Sequence, residues 1–295
     1  MAQQEYAIGA LWIAGPLSYL EQLCLKSFLD NGHAVRLYHY GPVENVPDGV
    51  ELADANTILS GEQYLTHGPT GSFALHSDLF RYKMLEKTDK MIWADTDAYC
   101  VKPFVPVDGH LYGYQSERSI NGGVLSFPKD SAAFQKILDF TSDQYSVPTW
   151  YKQKYVDWLF AEKAAGRPVH ASQQPWGVWG PAIVTHFLNE TGEAKFALPQ
   201  EVLYPFTFGD RRLMVRRRLP NVADYITEKT VSIHFFGRRM RSLLAARHDG
   251  TPLRTSVIGR LLTQHGIDPY KAPLPRILAQ QEAALADPDS DQSDA

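Results

Sequence analysis

The sequence predicts an α/β protein with a mostly parallel central sheet flanked by helices and carrying helical additions. Three observations support this. The chain opens on a strand–helix–strand alternation, a largely buried helix then leads into an apolar strand that stops at two carboxylates, and short strand and helix patterns continue beyond them.

Residues 6–14 are mostly apolar and read as the first strand. Leu17 to Asp30 reads as a helix, with Leu20, Leu23, Cys24 and Phe28 at helical spacing, Pro16 at its start and Asn31-Gly32 as its stop. Ala34 to Tyr40 is rich in β-branched and aromatic residues and closes at Gly41-Pro42. Residues 41–70 look irregular. A helix follows from about Ser72 to Lys87, apolar on two sides and therefore buried. Beyond the carboxylate pair, Leu111 to Tyr114 and Gly123 to Phe127 read as strands and Ser131 to Gln144 as a helix. Residues 150–188 are aromatic-rich, Pro181 opens a helix through Asn189, and Val231 to Phe236 is a late strand. No internal repeat is visible. The expected organisation is a single domain over residues 1–286. Residues 287–295, alternating acids with Pro, Ser and Gln, are expected to form a disordered acidic tail.

A chain of 295 residues with 44% hydrophobic content buries a large core. The two cysteines, Cys24 and Cys100, lie far apart in apolar contexts and read as reduced thiols, which points to a reducing compartment. The amino terminus lacks a basic segment before an apolar core, and no run approaches the roughly 18 apolar residues of a spanning helix. A soluble, cytoplasmic protein is expected. The net charge of −4 hides an uneven distribution, because residues 211–247 hold ten of the 29 Lys and Arg. That stretch is either a solvated basic face or a surface drawn to phosphate or to an anionic membrane, the latter placing the protein peripherally at the inner membrane face. Nucleic acid is not expected as a partner. The basic stretch lacks the interleaved aromatics of a single-strand groove, and the chain as a whole is acidic.

The chemistry centres on Trp93-Ala94-Asp95-Thr96-Asp97. Side chains two apart on an extended segment face the same way, so Asp95 and Asp97 can converge on one hard divalent cation. Seventeen positions before Asp95, Asp78 and Arg81 share one edge of the buried helix. A buried helix holds such a pair only if the two bind each other or a polar ligand.

Taken together, Leu11-Trp12-Ile13-Ala14-Gly15-Pro16, Ser77-Asp78-x-x-Arg81-Tyr82, Trp93-Ala94-Asp95-x-Asp97 and Asn121-Gly122-Gly123 resemble the bacterial glycosyltransferases with a D-x-D sugar-binding region. These are relatives of capsule and lipooligosaccharide galactosyl- and glucosyltransferases. The resemblance covers roughly residues 6–190 and implies a GT-A fold with a donor-binding half (about 1–130) and an acceptor-side half (about 131–286), a UDP-hexose donor, and Mn2+ or Mg2+ as cofactor. It also implies a saccharide or glycolipid acceptor in surface polysaccharide synthesis, and retention of anomeric configuration. By the same resemblance Trp12 stacks on the uracil, Asp78 and Arg81 read the donor sugar hydroxyls, and Asp95 is shared between the donor and the metal. Asp97 ligates the metal directly, and Asn121 with Gly122 lets backbone approach the sugar. His234, at the end of the late strand, is the expected third ligand, with Arg238 and Arg239 following it, and Trp179 of Trp179-Gly180-Pro181 is expected to face the acceptor. No residue is assigned as catalytic base or nucleophile; Glu117 and Asp210 are the weighed and unassigned acids. Two rival readings use the same residues: a noncatalytic nucleotide-sugar or glycan-binding protein of this fold, and a metal-dependent nucleotidyltransferase. The latter lacks support from any Gly-rich phosphate loop.

Overall fold

The computed structural model of the chain describes residues 4–217 and 222–275. Arg218 and the segment expected to form an acidic tail lie outside the described residues. The first strand, β1 (Ala7–Trp12), is followed by helix α1 (Tyr19–Asp30) and by β2 (Val35–His39), as the opening alternation requires. Ser18 starts α1 with a capping box: its side chain accepts from the Leu20 N–H, and Glu21 accepts the Ser18 N–H at 2.9 Å. Next comes β3 (Val50–Asp54), then α2 (Ala74–Lys87), β4 (Met91–Ala94) and β5 (Ala98–Cys100). The hairpin of β6 (Leu111–Ser116) and β7 (Ser119–Ser126) precedes α3 (Ala132–Ser142), α4 (Gln153–Ala164), α5 (Ile183–Glu190) and the single turn α6 (Gln200–Leu203). The described chain closes with β8 (Ser232–His234), α7 (Gly237–Arg247) and α8 (Val257–Gln264).

Six strands form the central sheet in the order β3-β2-β1-β4-β7-β6. The first four are parallel, and β7 runs against β4 and β6. The α/β class and the mostly parallel, helix-flanked sheet are as expected. β3 was not foreseen in the segment read as irregular. Only one of its flanks is paired and none of its residues is fully buried, so its hydrophobic signal is weak. A second sheet of two antiparallel strands, β5 and β8, pairs Ala98 with His234. Asn121 and Gly122 lie inside β7 rather than in a turn before it. No helix among the described residues is long and apolar enough to cross a membrane.

The main core packs α2, α3 and α5 against one face of the sheet around Phe80, Tyr82, Trp93, Phe134 and Trp179. A separate cluster ties α1, α7 and α8 to β5 and β8 through Tyr99, Phe235, Met240 and Ile258. Glu21 and Arg241 pair at 2.8 Å across this second interface and fix the start of α7 against α1.

Candidate metal and donor site

The parallel strands β1 and β4 end side by side, which sets the site at the carboxyl edge of the sheet. Trp12 closes β1, where its indole N–H donates to the Gly15 carbonyl at 2.8 Å and its ring stays half-buried. Past the end of β4, the Asp95 N–H donates to the Gly123 carbonyl at 2.8 Å, so β4 and β7 jointly hold the carboxylate. The Phe235 N–H donates to the Asp97 carbonyl at 2.9 Å, and the pairing of β5 with β8 brings His234 alongside Asp97.

Asp95, Asp97 and His234 each offer one ligand atom, and these atoms all lie within 4.8 Å of one another. The protein holds one oxygen of each carboxylate and leaves the other for the cluster. Asp95 Oδ1 accepts the Trp93 indole N–H at 2.8 Å and stands 3.4 Å from the Arg81 guanidinium. Asp97 Oδ2 accepts the Gly237 N–H at 2.6 Å, at the start of α7. Its Oδ1 is buried, accepts no hydrogen bond of good geometry, and lies 3.2 Å from His234 Nε2. A Cβ on Gly123 would come within 3.1 Å of Asp95 Oδ2 and 3.3 Å of His234 Nε2, so glycine keeps that space open.

Arg81 connects this cluster to α2. It pairs with Asp78 at 2.9 Å, donates to the Gly122 carbonyl at 2.6 Å, and stacks 5.1 Å from the centre of the Trp93 ring. A Cβ on Gly122 would meet the guanidinium at 2.7 Å, which explains a glycine in mid-strand. Asp78 and Arg81 therefore bind each other, and Arg81 also reaches the Gly122 carbonyl and Asp95.

Burial raises the Asp78 pKa to about 6 against the opposing pull of Arg81. Burial raises Asp95 as well, although Arg81 lies beside it. Asp97 goes the other way: burial is outweighed by the His234 ring and the Gly237 N–H, which bring it to about 2. For His234, burial is outweighed by the Asp97 carboxylate and the pKa rises.

An orphaned buried carboxylate oxygen, a second carboxylate with one oxygen free and an adjacent imidazole form a donor set that fits a hard divalent cation. Two ligand atoms at bond lengths near 2.1 Å stand at most about 4.2 Å apart, so atoms that all lie within 4.8 Å of one another are close to the spacing that one ion needs. His234 Nδ1 accepts the Phe236 N–H at 3.2 Å, which leaves the ring proton on Nε2. Holding a metal through Nε2 would require the neutral ring with its proton on Nδ1, at the expense of the Phe236 contact.

The other expected site residues fall in different places. The Asn121 amide is committed within the hairpin, donating to Gln115 Oε1 at 2.5 Å and accepting the Gly123 N–H at 2.6 Å. It shapes β7 at Gly122 and Gly123. The expected acceptor-side role of the Trp179 ring is corrected: it is 1% exposed in the main core, and its carbonyl accepts the Tyr82 hydroxyl at 2.5 Å. Trp176, three residues earlier, is 50% exposed. Pro175-Trp176-Gly177 carries a turn signal consistent with its display, and no role is assigned to Trp176 from the sequence. Glu117 is exposed in the β6–β7 turn, and Asp210 accepts the Thr207 hydroxyl of its own turn.

No family model and no curated protein sequence matches the chain. Among solved structures, it is similar to PaToxG glycosyltransferase at 15% identity and a TM-score of 0.40, over 64% of this chain and 70% of that one. It is also similar to mouse xyloside xylosyltransferase 1 in its apo form, at 12% identity and a TM-score of 0.35, over 78% of this chain and 97% of that one. Likenesses this shallow leave function to be argued from the site.

Proposed function

We propose that the protein is a metal-dependent glycosyltransferase of the GT-A type, moving a hexose from a UDP-sugar to a hydroxyl of a saccharide or glycolipid with retention of anomeric configuration. The observation that carries this reading is the convergence of Asp95, Asp97 and His234 beside the Asp78–Arg81 pair at the carboxyl edge of β4. With His234 neutral, the three carboxylates and the one guanidinium leave two negative charges, the complement of one divalent cation. Mn2+ or Mg2+ held there would neutralise charge on the departing diphosphate.

The chain's own residues do the rest. Asp97 presents Oδ1 because α7 holds Oδ2, and Asp95 presents Oδ2 because Trp93 and Arg81 hold Oδ1. Asp78 and Arg81 offer an acceptor and a forked donor to adjacent sugar hydroxyls. Gly122 and Gly123 let the β7 backbone stand close to the bound sugar. Trp12, at the end of β1, would stack on the uracil. The pathway read from the sequence is surface polysaccharide synthesis, carried out in the cytoplasm. The basic residues 211–247 would hold the protein peripherally on the anionic inner membrane face, where a glycolipid acceptor resides.

The test is UDP release from a panel of nucleotide-sugars with Mn2+ present or chelated. Metal-dependent UDP release from one donor is the expected result. Release of pyrophosphate instead of UDP would identify a nucleotidyltransferase, and binding without turnover a noncatalytic protein.

A further inference from the structure

Tyr204 buries a hydroxyl that no described group satisfies, beside the candidate metal ligands. The residue ends the single turn α6, where its N–H donates to the Gln200 carbonyl at 2.8 Å. Contacts on both flanks fix that turn. Leu203 packs over Gly113 of β6, where a Cβ on the glycine would come within 3.0 Å of it, and the Val231 N–H, just before β8, donates to the Val202 carbonyl at 2.8 Å. Tyr204 is therefore held between β6 and the late strand that carries His234. Its ring stands 5.7 Å from the His234 ring, tilted by 51°, and the residue is 1% exposed. Ala94 and Ala98, on either side of the Asp95–Asp97 turn, belong to the same apolar cluster.

The hydroxyl is out of keeping with that cluster. Its oxygen is buried without a hydrogen bond among the described residues, and the Val124 N–H faces it without good geometry. An unpaired buried hydroxyl destabilises a fold, and phenylalanine would fill the same space without that penalty. Burial lifts the Tyr204 pKa far above the ordinary tyrosine value, so the group is a proton donor at neutral pH and not a phenolate. Of the charged side chains that act on it, the Asp95 carboxylate acts most strongly, ahead of Arg81 and Asp97. Asp95 also has an oxygen to offer. Its Oδ1 accepts the Trp93 indole N–H and faces Arg81, while Oδ2 has lone pairs for both an ion and a hydroxyl.

We infer that Tyr204 is a further positioning residue of the metal centre, its ring bracing His234 and its hydroxyl donating to Asp95 Oδ2 when the three ligands close on an ion. The inference rests on the metal reading of Asp95, Asp97 and His234. It adds a group that orients a ligand without touching the ion, as the partners behind metal ligands do. The metal-free protein is destabilised by the unpaired hydroxyl, and closure on the ion relieves it.

Calorimetric titration of the full chain with Mn2+ alone, paired with thermal melting in the presence of a chelator, tests it in Tyr204→Phe, which keeps the ring and removes the hydroxyl. The expected result is Mn2+ binding weakened about tenfold, with a melting temperature in chelator at or above that of the wild type. A melting temperature lowered by several degrees in chelator overturns the inference, because the hydroxyl then serves the metal-free fold. Weakening that appears only when UDP is titrated together with Mn2+ also overturns it, because the hydroxyl then addresses the nucleotide and not Asp95. Equal Mn2+ binding by the two proteins overturns the inference alone, whereas a wild type that binds no Mn2+ overturns the metal reading and the inference together.

Discussion

The Gly237 backbone N–H donates to Asp97 Oδ2 at 2.6 Å across 140 residues of sequence, and the two residues together orient the cluster. The N-terminal end of α7 carries partial positive charge and suits the carboxylate it holds. A Cβ on Gly237 would sit 3.1 Å from the Asp97 Cβ, so the helix approaches this closely because its first residue lacks a side chain. Glu21 steadies the same helix through Arg241.

Gly123→Ala should weaken Mn2+ binding about tenfold, a size typical of disturbing the groups that orient metal ligands. The added methyl meets Asp95 Oδ2, Asn121 Oδ1 and His234 Nε2 at 3.1–3.3 Å, and each must give by a few tenths of an ångström. Calorimetric titration with Mn2+ checks this, with thermal melting as the control. Unchanged affinity would mean that the three ligand atoms do not share one ion.

Arg81→Met should destabilise the fold by about 3 kcal/mol, because it leaves the buried Asp78 and the half-buried Asp95 without their counter-charge. Adding Asp78→Leu should recover part of that loss, since one of the uncompensated carboxylates is then gone. Urea denaturation of the two single variants and the double variant measures the coupling. Strict additivity would show that the pair is energetically independent.

His76 makes stability pH-dependent. Its Nδ1 accepts the Leu65 N–H at 3.4 Å and its Nε2 meets the Tyr40 hydroxyl at 2.7 Å, while that hydroxyl donates to the Leu59 carbonyl. The neutral ring satisfies all three contacts, and burial lowers its pKa to about 4 from an ordinary value of 6.5. The group is a base with a depressed folded pKa, so its contribution is complete above about pH 6.5 and declines as pH falls toward 4. By pH 4.5 the loss should be on the order of 2 kcal/mol. His76→Gln should flatten this slope in denaturation measured from pH 7 to 4.5; an unchanged slope would place the titration elsewhere.

Charge reversal at the exposed Arg216 and Arg217 should reduce the binding constant for liposomes containing anionic lipid, measured by sedimentation, by at least about thirtyfold, at roughly 1 kcal/mol per basic residue near such a surface. The effect should vanish with neutral liposomes. Equal sedimentation of wild type and variant would remove the membrane role of this segment.

Much of this arrangement was legible in sequence because it is local. The β1–α1–β2 unit, α2 and β4 with its carboxylates follow from hydrophobic period and turn residues within a few positions. His234 was legible as a strand-end residue, but its position beside Asp97 depends on the pairing of β5 with β8, which a short strand such as Ala98–Cys100 does not announce. Trp179 and Trp176 show the limit most clearly. Both lie beside Gly and Pro, and only tertiary packing decides that one ring fills the core while the other faces solvent. Basic residues weaken the apolar period of α7, whereas α8 keeps Val257, Ile258, Leu261 and Leu262 at helical spacing and is hard to read only because it has eight residues.

The most direct test of the central claim compares the wild type with Asp97→Asn, which keeps an acceptor for the Gly237 N–H while removing the charge. Mn2+-dependent UDP release from the preferred nucleotide-sugar is the readout. The site as described predicts at least a hundredfold loss of activity in Asp97→Asn, with a melting temperature within a few degrees of the wild type. Near-normal UDP release by a folded Asp97→Asn, or wild-type release indifferent to chelation of the metal, would contradict it.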